Sequence, residues 1–514
     1  MTLQPFTNNI RIGSTGKIHR EKGCRVNMSE LVVQTKAGRI QGSSENGVRV
    51  WKGIPYAKPP VGPLRFRAPV PPDPWDGIKD TTAFSPMCLQ PLESTSSMLG
   101  GGVTKTVSED CLYLNVWAPL NTPAEPLPVM VWIHGGTFVT GSGSLPSYNG
   151  TPFVLRGNVI VITINYRLGP LGFLHLSPYG EAYSSNTGLL DQIAALEWVR
   201  DNIAGFGGDP ERVTVFGESA GSMSIAALLA MPAAKGLFHR AIMQSGAAQV
   251  MAPEQAKMVT AGLLKELDIS PDKIHELESL TGELIFEAGE RLKKRFGPGV
   301  SMIFQPVLEP GTLPHDPLQA VQSGWAKDVP ILIGTNLDEG ALFFRPDMPL
   351  VKEDDLVRTI EMMTGIQDAA PITKEYPYSI DGHAQIMTDL YFWRSALQFA
   401  SAQSKHAPVW MYRFDWTLPN HPVLGKAMHA LEIPFVFNTL ALFQNIGVQV
   451  DGATQALSNR MQDAWISFAR SGSPDTEAMP WPAYDPASRS TMIFNNDSRI
   501  IEDPDAEKRN MLQL

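Results

Sequence analysis

The 514-residue chain has no apolar run long enough to cross a bilayer as a helix; its longest candidates, such as Val159 to Ile164, are of strand length. It also lacks a basic surplus. Lys and Arg number 42 against 52 Asp and Glu, a net charge of −10, which makes nucleic acid and anionic membranes poor partners. Cysteine is scarce: Cys24, Cys88 and Cys111 are all there are. So small and odd a number argues against a secreted disulfide framework and fits a reducing cytoplasm, while leaving open whether Cys88 and Cys111 are bridged. The ten histidines are scattered, without HExxH or other ligand spacing, so no metal is expected. No G-x-G-x-x-G follows the first strand-like run, which removes a dinucleotide-dependent oxidoreductase, and no other cofactor is indicated. Repeats and low-complexity linkers are missing as well. What remains, 43% hydrophobic and 18% charged, is the composition of a globular protein.

Residues 1–30 lack the apolar core of a signal peptide. Gly16-Lys17 is followed by Ile18 with no strand before it, so a phosphate-binding loop is not credible there. This segment reads as a disordered tail or non-native extension with Met28 the natural start, and residues 31–510 as a single domain with helical insertions. Within it, the pattern predicts a hairpin around Asn46-Gly47, a proline-rich wrap, and strands at Leu112–Val116, Val129–Ile133 and Val159–Asn165. Leu189, Ile193, Leu196, Val199 and Ile203 then recur at helical spacing up to Gly205 and Gly207. Further strands are expected at 329–336, 407–416 and 491–495, with charged helical insertions at 252–300 and 350–405 and a helix near 452–470. Strands alternating with helices at these spacings indicate an α/β fold with a large, mostly parallel, doubly wound sheet.

The most informative stretch is RVTVFGESAGS, residues 212–222. β-Branched and aromatic residues lead into a serine set between Gly217 and Gly221, and an alanine-rich helical run follows. Strand, sharp turn and helix in that order can hold a serine in a strained conformation with its hydroxyl exposed. The five-residue pattern alone is weak; its flanks strengthen it. A serine hydroxyl needs a base, and the base an orienting acid, which in such a fold follow in the order Ser, Asp/Glu, His. Asp338 and Glu339 are the carboxylates directly after a buried strand in the second half, and His421 and His429 both lie in a loop after a later strand. Spacing alone leaves both pairs open. Gly135 and Gly136 end the strand VWI at residues 131–133, where bare backbone N–H groups can approach a substrate carbonyl, and the Ala220 N–H would be a third donor. Losing one such donor typically costs about 3 kcal/mol of transition-state stabilisation.

The motifs FGESAG, WIHGG, SEDCLYLNVW, GIPYAKPPVGPLRF, NYRLGPLGF and HALEIPF resemble, in order and over nearly the whole chain, the type-B carboxylesterase family that includes the cholinesterases. The resemblance implies an α/β-hydrolase fold and a triad of Ser219, Glu339 and His429, with Asp338 a structural neighbour. It implies oxyanion donors at Gly135, Gly136 and Ala220, and Ser245 in QSGA as a support for the acid–base pair. Ion pairs Arg65–Glu109 and Arg167–Asp191 follow from it, as does the match of Cys88 and Cys111 to a pair bridged in secreted animal relatives. The expected activity is acyl transfer from uncharged esters of small to medium size to water, by a monomer that needs only its small-molecule substrate. Amide, carbamate or lipid-ester hydrolysis by the same triad is the alternative, and a non-catalytic binding protein on this fold a remote one. Phe138, Met223, Phe343 and Phe344, beside the catalytic motifs, are candidates to line the substrate pocket.

Overall fold

A computed structural model describes residues 28–91, 106–295 and 302–512. The expectation for residues 1–27 lies outside the described residues. Residues 28–30, which the sequence reading puts in the tail, form a 3₁₀ turn, Met28–Leu31, and the Glu30 carbonyl accepts a hydrogen bond from Arg49.

Eleven strands build the main sheet: β1 (Ser43–Glu45), β2 (Val48–Pro55), β3 (Tyr113–Pro119), β4 (Leu127–Ile133), β5 (Ile160–Ile164), β6 (Gly208–Glu218), β7 (Arg240–Gln244), β8 (Ile331–Asn336), β9 (Val409–Phe414), β10 (Thr491–Phe494) and β11 (Arg499–Ile501). Their spatial order is β11-β10-β9-β8-β7-β6-β4-β5-β3-β2-β1. Every neighbouring pair from β5 to β10 is parallel, whereas the pairs toward both edges are antiparallel. The Asn46-Gly47 turn joins β1 to β2 as the sequence predicts, both residues at positive φ (48° and 83°), the conformation a tight hairpin turn demands.

Strands β4, β5 and β8 are buried at every residue, because helices cover both faces. Alternate side chains feed two cores. Val129, Val131, Ile133, Val215 and Ile333 point to one, under the helices Thr187–Asn202 and Ala220–Ala230. Met130, Trp132, Phe216 and Leu332 point to the other, which is closed by the helix Gly452–Ser471 through Leu457, Met461 and Trp465. The helix ending near Gly205 stops at Asn202, tightens into a 3₁₀ turn over Ile203–Phe206, and is capped by Gly207 at φ 94°. The second insertion holds a turn of π-helix, Met387–Trp393, that the 3.6-residue pattern did not anticipate.

Two ion pairs tie the loops to this frame. Arg65 grips Glu109 through two hydrogen bonds of 2.7 and 2.6 Å and also donates to the carbonyls of Leu277 and Leu280. Arg167, just past β5, holds Asp191 of the helix Thr187–Asn202 with bonds of 2.7 and 2.6 Å, both side chains being buried. Cys88 and Cys111 are buried free thiols, and Cys88 donates to the Tyr166 carbonyl. Among the described residues, no helix is long and apolar enough to cross a membrane.

Candidate active site

Because the central strands are parallel, their C-terminal ends emerge along one edge, and the candidate residues follow from those ends. β6 ends at Glu218; Ser219 then adopts φ 55°, ψ −122°, and the helix Ala220–Ala230 begins at the next residue. A non-glycine residue rarely takes a positive φ, so the turn is strained and held by its surroundings. The flanking glycines permit it. A Cβ on Gly221 would lie 2.0 Å from the Ile133 carbonyl oxygen, and one on Gly217 would lie 2.7 Å from the same atom. Either substitution would drive the elbow off the end of β4.

β8 leads through Asp338 into a 3₁₀ turn, Glu339–Leu342. The fully buried Glu339 carboxylate accepts the Asn336 N–H at 2.7 Å through one oxygen and lies 2.6 Å from His429 Nδ1 through the other. Asp338 faces elsewhere: its carboxylate accepts the Ala427 N–H and its N–H donates to the Ala427 carbonyl, pinning the loop that carries His429. His421 stays in its own loop, where Nδ1 accepts from the N–H groups of Val423 and Leu424. Geometry therefore brings Glu339 and His429 together and leaves Asp338 and His421 apart.

Ser219 and His429 line the same cavity, of about 200 Å³, but no hydrogen bond joins them. His429 Nε2 lies instead 3.0 Å from Oε1 of Glu218, the residue preceding the serine. Burial alone would lower the imidazole pKa; the Glu218 and Glu339 carboxylates overcome that and lift it to about 9. Burial raises Glu218 to about 8, against the pull of His429. The imidazole thus has a carboxylate near each ring nitrogen, hydrogen-bonded at Nδ1 and in close approach alone at Nε2. Its ring also packs against Phe392 and Phe343, with centroids 4.7 and 5.2 Å away.

Gly135 and Gly136 line this cavity, and neither N–H donates to any protein acceptor among the described residues. Ala220, as first residue of its helix, also presents its N–H outward at the positive end of the helix dipole. His134 braces the glycine turn. Its ring stacks on Tyr166 (4.4 Å), its Nδ1 lies 2.8 Å from the Gly135 carbonyl, and the Tyr166 hydroxyl donates to the His134 carbonyl. Burial lowers its pKa to about 4, so the ring is neutral and Nδ1–H is free to donate.

Of the four residues expected to line the pocket, Phe343 does so. Phe138 and Met223 do not, nor does Phe344. Phe138 is buried against Phe173, Met223 sits under the Tyr391 hydroxyl, and Phe344 turns to His383. Leu342, Tyr148 and Ile433 take their places on the wall. Ser245 also departs from expectation: among the described residues its hydroxyl has no hydrogen-bond partner, Glu339 and His429 included, while its N–H donates to the Gly334 carbonyl. Two carboxylates escaped the sequence reading. Glu218 was legible only as the residue beside the serine. Glu432, three residues after His429, is fully buried and accepts from the side chains of Gln244 (2.9 Å) and Asn336 (2.7 Å). Among the described residues there is no cluster of three or more His, Cys, Asp or Glu side chains able to hold a metal ion.

The sequence profile of the carboxylesterase family matches residues 29–512. A para-nitrobenzyl esterase of Bacillus subtilis is 50% identical over 489 residues, covering 94% of this chain and 99% of that protein. A phenmedipham hydrolase of Pseudarthrobacter oxydans is 36% identical over 488 residues, covering 91% and 96%. The solved structure of a thermophilic PNB esterase superposes with a TM-score of 0.90 at 48% identity, covering 94% of this chain and all of the other. With such matches across its whole described length, the chain belongs to the carboxylesterase family: it is a carboxylic ester hydrolase on the α/β-hydrolase fold.

Proposed function

We propose that Ser219 is the nucleophile, His429 the general base and Glu339 the acid that orients it, in hydrolysis of uncharged small-to-medium esters such as para-nitrobenzyl esters. The observation that carries this reading is the 2.6 Å contact of His429 Nδ1 with Glu339, on a cavity shared with the left-handed Ser219 and two unclaimed backbone N–H groups. Ser219 Oγ attacks the ester carbonyl carbon and its proton passes to His429 Nε2. The carbonyl oxygen, now negative, is held by the N–H groups of Gly135, Gly136 and Ala220. Collapse expels the alcohol, which takes the proton from Nε2. Water then repeats the sequence on the acyl-enzyme and releases the acid.

The 3.0 Å approach of Nε2 to Glu218 suits a protonated imidazole. A neutral imidazole presents a lone pair that a carboxylate repels and a hydroxyl proton attracts, so loss of the proton is what turns Nε2 from Glu218 to Ser219. The walls of Phe343, Leu342, Tyr148 and Ile433 favour an uncharged acyl or alkyl group. The free thiols Cys88 and Cys111 support a reducing compartment, the cytoplasm, and no partner is needed to complete the triad.

Ser219→Ala tests the reading. It removes only Oγ, so thermal unfolding should stay where it is while kcat falls by about a million-fold, as loss of an activated nucleophile does elsewhere. The assay is a panel of esters, amides and carbamates of graded acyl length. Wild-type-like turnover of the variant on any of them would refute the assignment.

A further inference from the structure

The end of β8 does more than deliver the acid. Asn336, 1% exposed, donates its backbone N–H to Glu339 at 2.7 Å. Its side-chain amide donates to the carbonyl of Met428 at 2.8 Å and to Glu432 at 2.7 Å. Those two acceptors bracket His429 in sequence. Gln244, at the end of β7, completes the lattice: its amide donates to the other oxygen of Glu432 at 2.9 Å, and its backbone carbonyl accepts the Ser219 N–H at 2.9 Å. Trp465, from the helix Gly452–Ser471, holds the Gln244 side-chain oxygen at 3.0 Å. None of Asn336, Gln244 or Glu432 lines the substrate cavity.

We infer that Asn336, seconded by Gln244, is a positioning residue: its amide locks the His429 loop and the buried Glu432 to the strand ends that carry Ser219 and Glu339. This rests on the triad reading above. Glu432 is a buried carboxylate paired with amides rather than with a Lys or Arg. Burial, with Glu339 beside it, pushes its pKa up, and the hydrogen bonds from Asn336 and Gln244 pull it back down, favouring the ionised form. The groups around it are Glu339 from the turn after β8, His429 from its own loop, Glu218 from β6, Tyr412 from β9 and Tyr148. Ionised, Glu432 adds to the negative charge beneath the imidazole. Removing an amide donor weakens that charge, lowers the affinity of His429 for its proton, and moves the acid limb of activity to lower pH.

The test is steady-state hydrolysis of para-nitrophenyl acetate, across pH, by the full chain and its Asn336→Ala and Gln244→Met variants. For Asn336→Ala, kcat should fall at least about tenfold through misplacement of the base, with KM within about twofold of wild type. The acid limb of kcat/KM should move down by about half a pH unit in both variants, with the smaller loss of kcat in Gln244→Met. Unchanged limbs, or a rise in KM alone, would overturn the inference. Should Asn336→Ala not fold, Gln244→Met, which keeps side-chain length and the backbone bond to Ser219, decides it. An active Ser219→Ala would instead sink the triad reading; an inactive Ser219→Ala beside a wild-type-like Gln244→Met sinks only the positioning role.

Discussion

At the level of single residues, three carboxylates surround one imidazole, and they have different tasks. Glu339 is hydrogen-bonded to Nδ1, Glu218 approaches Nε2, and Glu432 is held by Gln244 and Asn336. If His429 is the base as proposed, it must be neutral to act, and with its pKa raised to about 9 the acid limb of kcat/KM should lie above the ordinary histidine value of 6.5. His429 and Glu218 titrate as a pair, so the limb reports both. Glu218→Gln deletes the largest charge lifting the imidazole, and the limb should move to lower pH; a pH–rate profile superimposable on wild type would remove Glu218 from the proton balance. The proposed nucleophile and a short choice of acids and bases were legible in the sequence because chemistry restricts them to few residue types in a fixed chain order, whereas choosing Glu339 over Asp338 and His429 over His421 took the family resemblance. The wall of the pocket was not. Phe343 and Phe344 are adjacent and alike just past the 3₁₀ turn Glu339–Leu342, yet Phe343 packs on Phe392 and Phe344 on His383, and only that packing puts one of them on the cavity wall.

At the level of elements, the buried Arg167–Asp191 pair couples the loop after β5 to the helix Thr187–Asn202. Arg167→Met would strand Asp191 as an uncompensated buried charge and should destabilise the protein by about 3–5 kcal/mol. Urea unfolding measures this directly; a shift below about 1 kcal/mol would mean that the pair is neutral overall. Strands and amphipathic helices were readable because burial on two faces or on one imposes a regular pattern, as in Val129–Ile133 and in Leu189, Ile193 and Leu196. The π-turn Met387–Trp393 left no such trace. One extra residue per turn is stabilised by contacts remote in sequence, here the hydrogen bond and ion pair of Asp389 with Tyr376 and Lys508.

At the level of the whole molecule, Cys88 and Cys111 are adjacent thiols whose contact raises the pKa of Cys111 after burial has already done so. Cys111 is thus not a ready thiolate. The melting temperature should therefore be the same with and without dithiothreitol; a drop under reductant would reveal a bridge. The eleven-strand sheet and its two cores were predictable as a class from alternating strand and helix signals, while the antiparallel edge pairs depended on hairpin and crossover geometry that no local pattern states. The run of parallel neighbours from β6 to β9 has a consequence for divergence. Ser219 and Glu339 follow directly from strand ends and the loop of His429 is pinned to that rim through Asp338 and Asn336, whereas the other lengths of chain between one strand and the next bulge outward from it. Such segments can be lengthened, trimmed or rewritten to admit a bulkier or a thinner guest, and the proton-transfer apparatus need never be rebuilt.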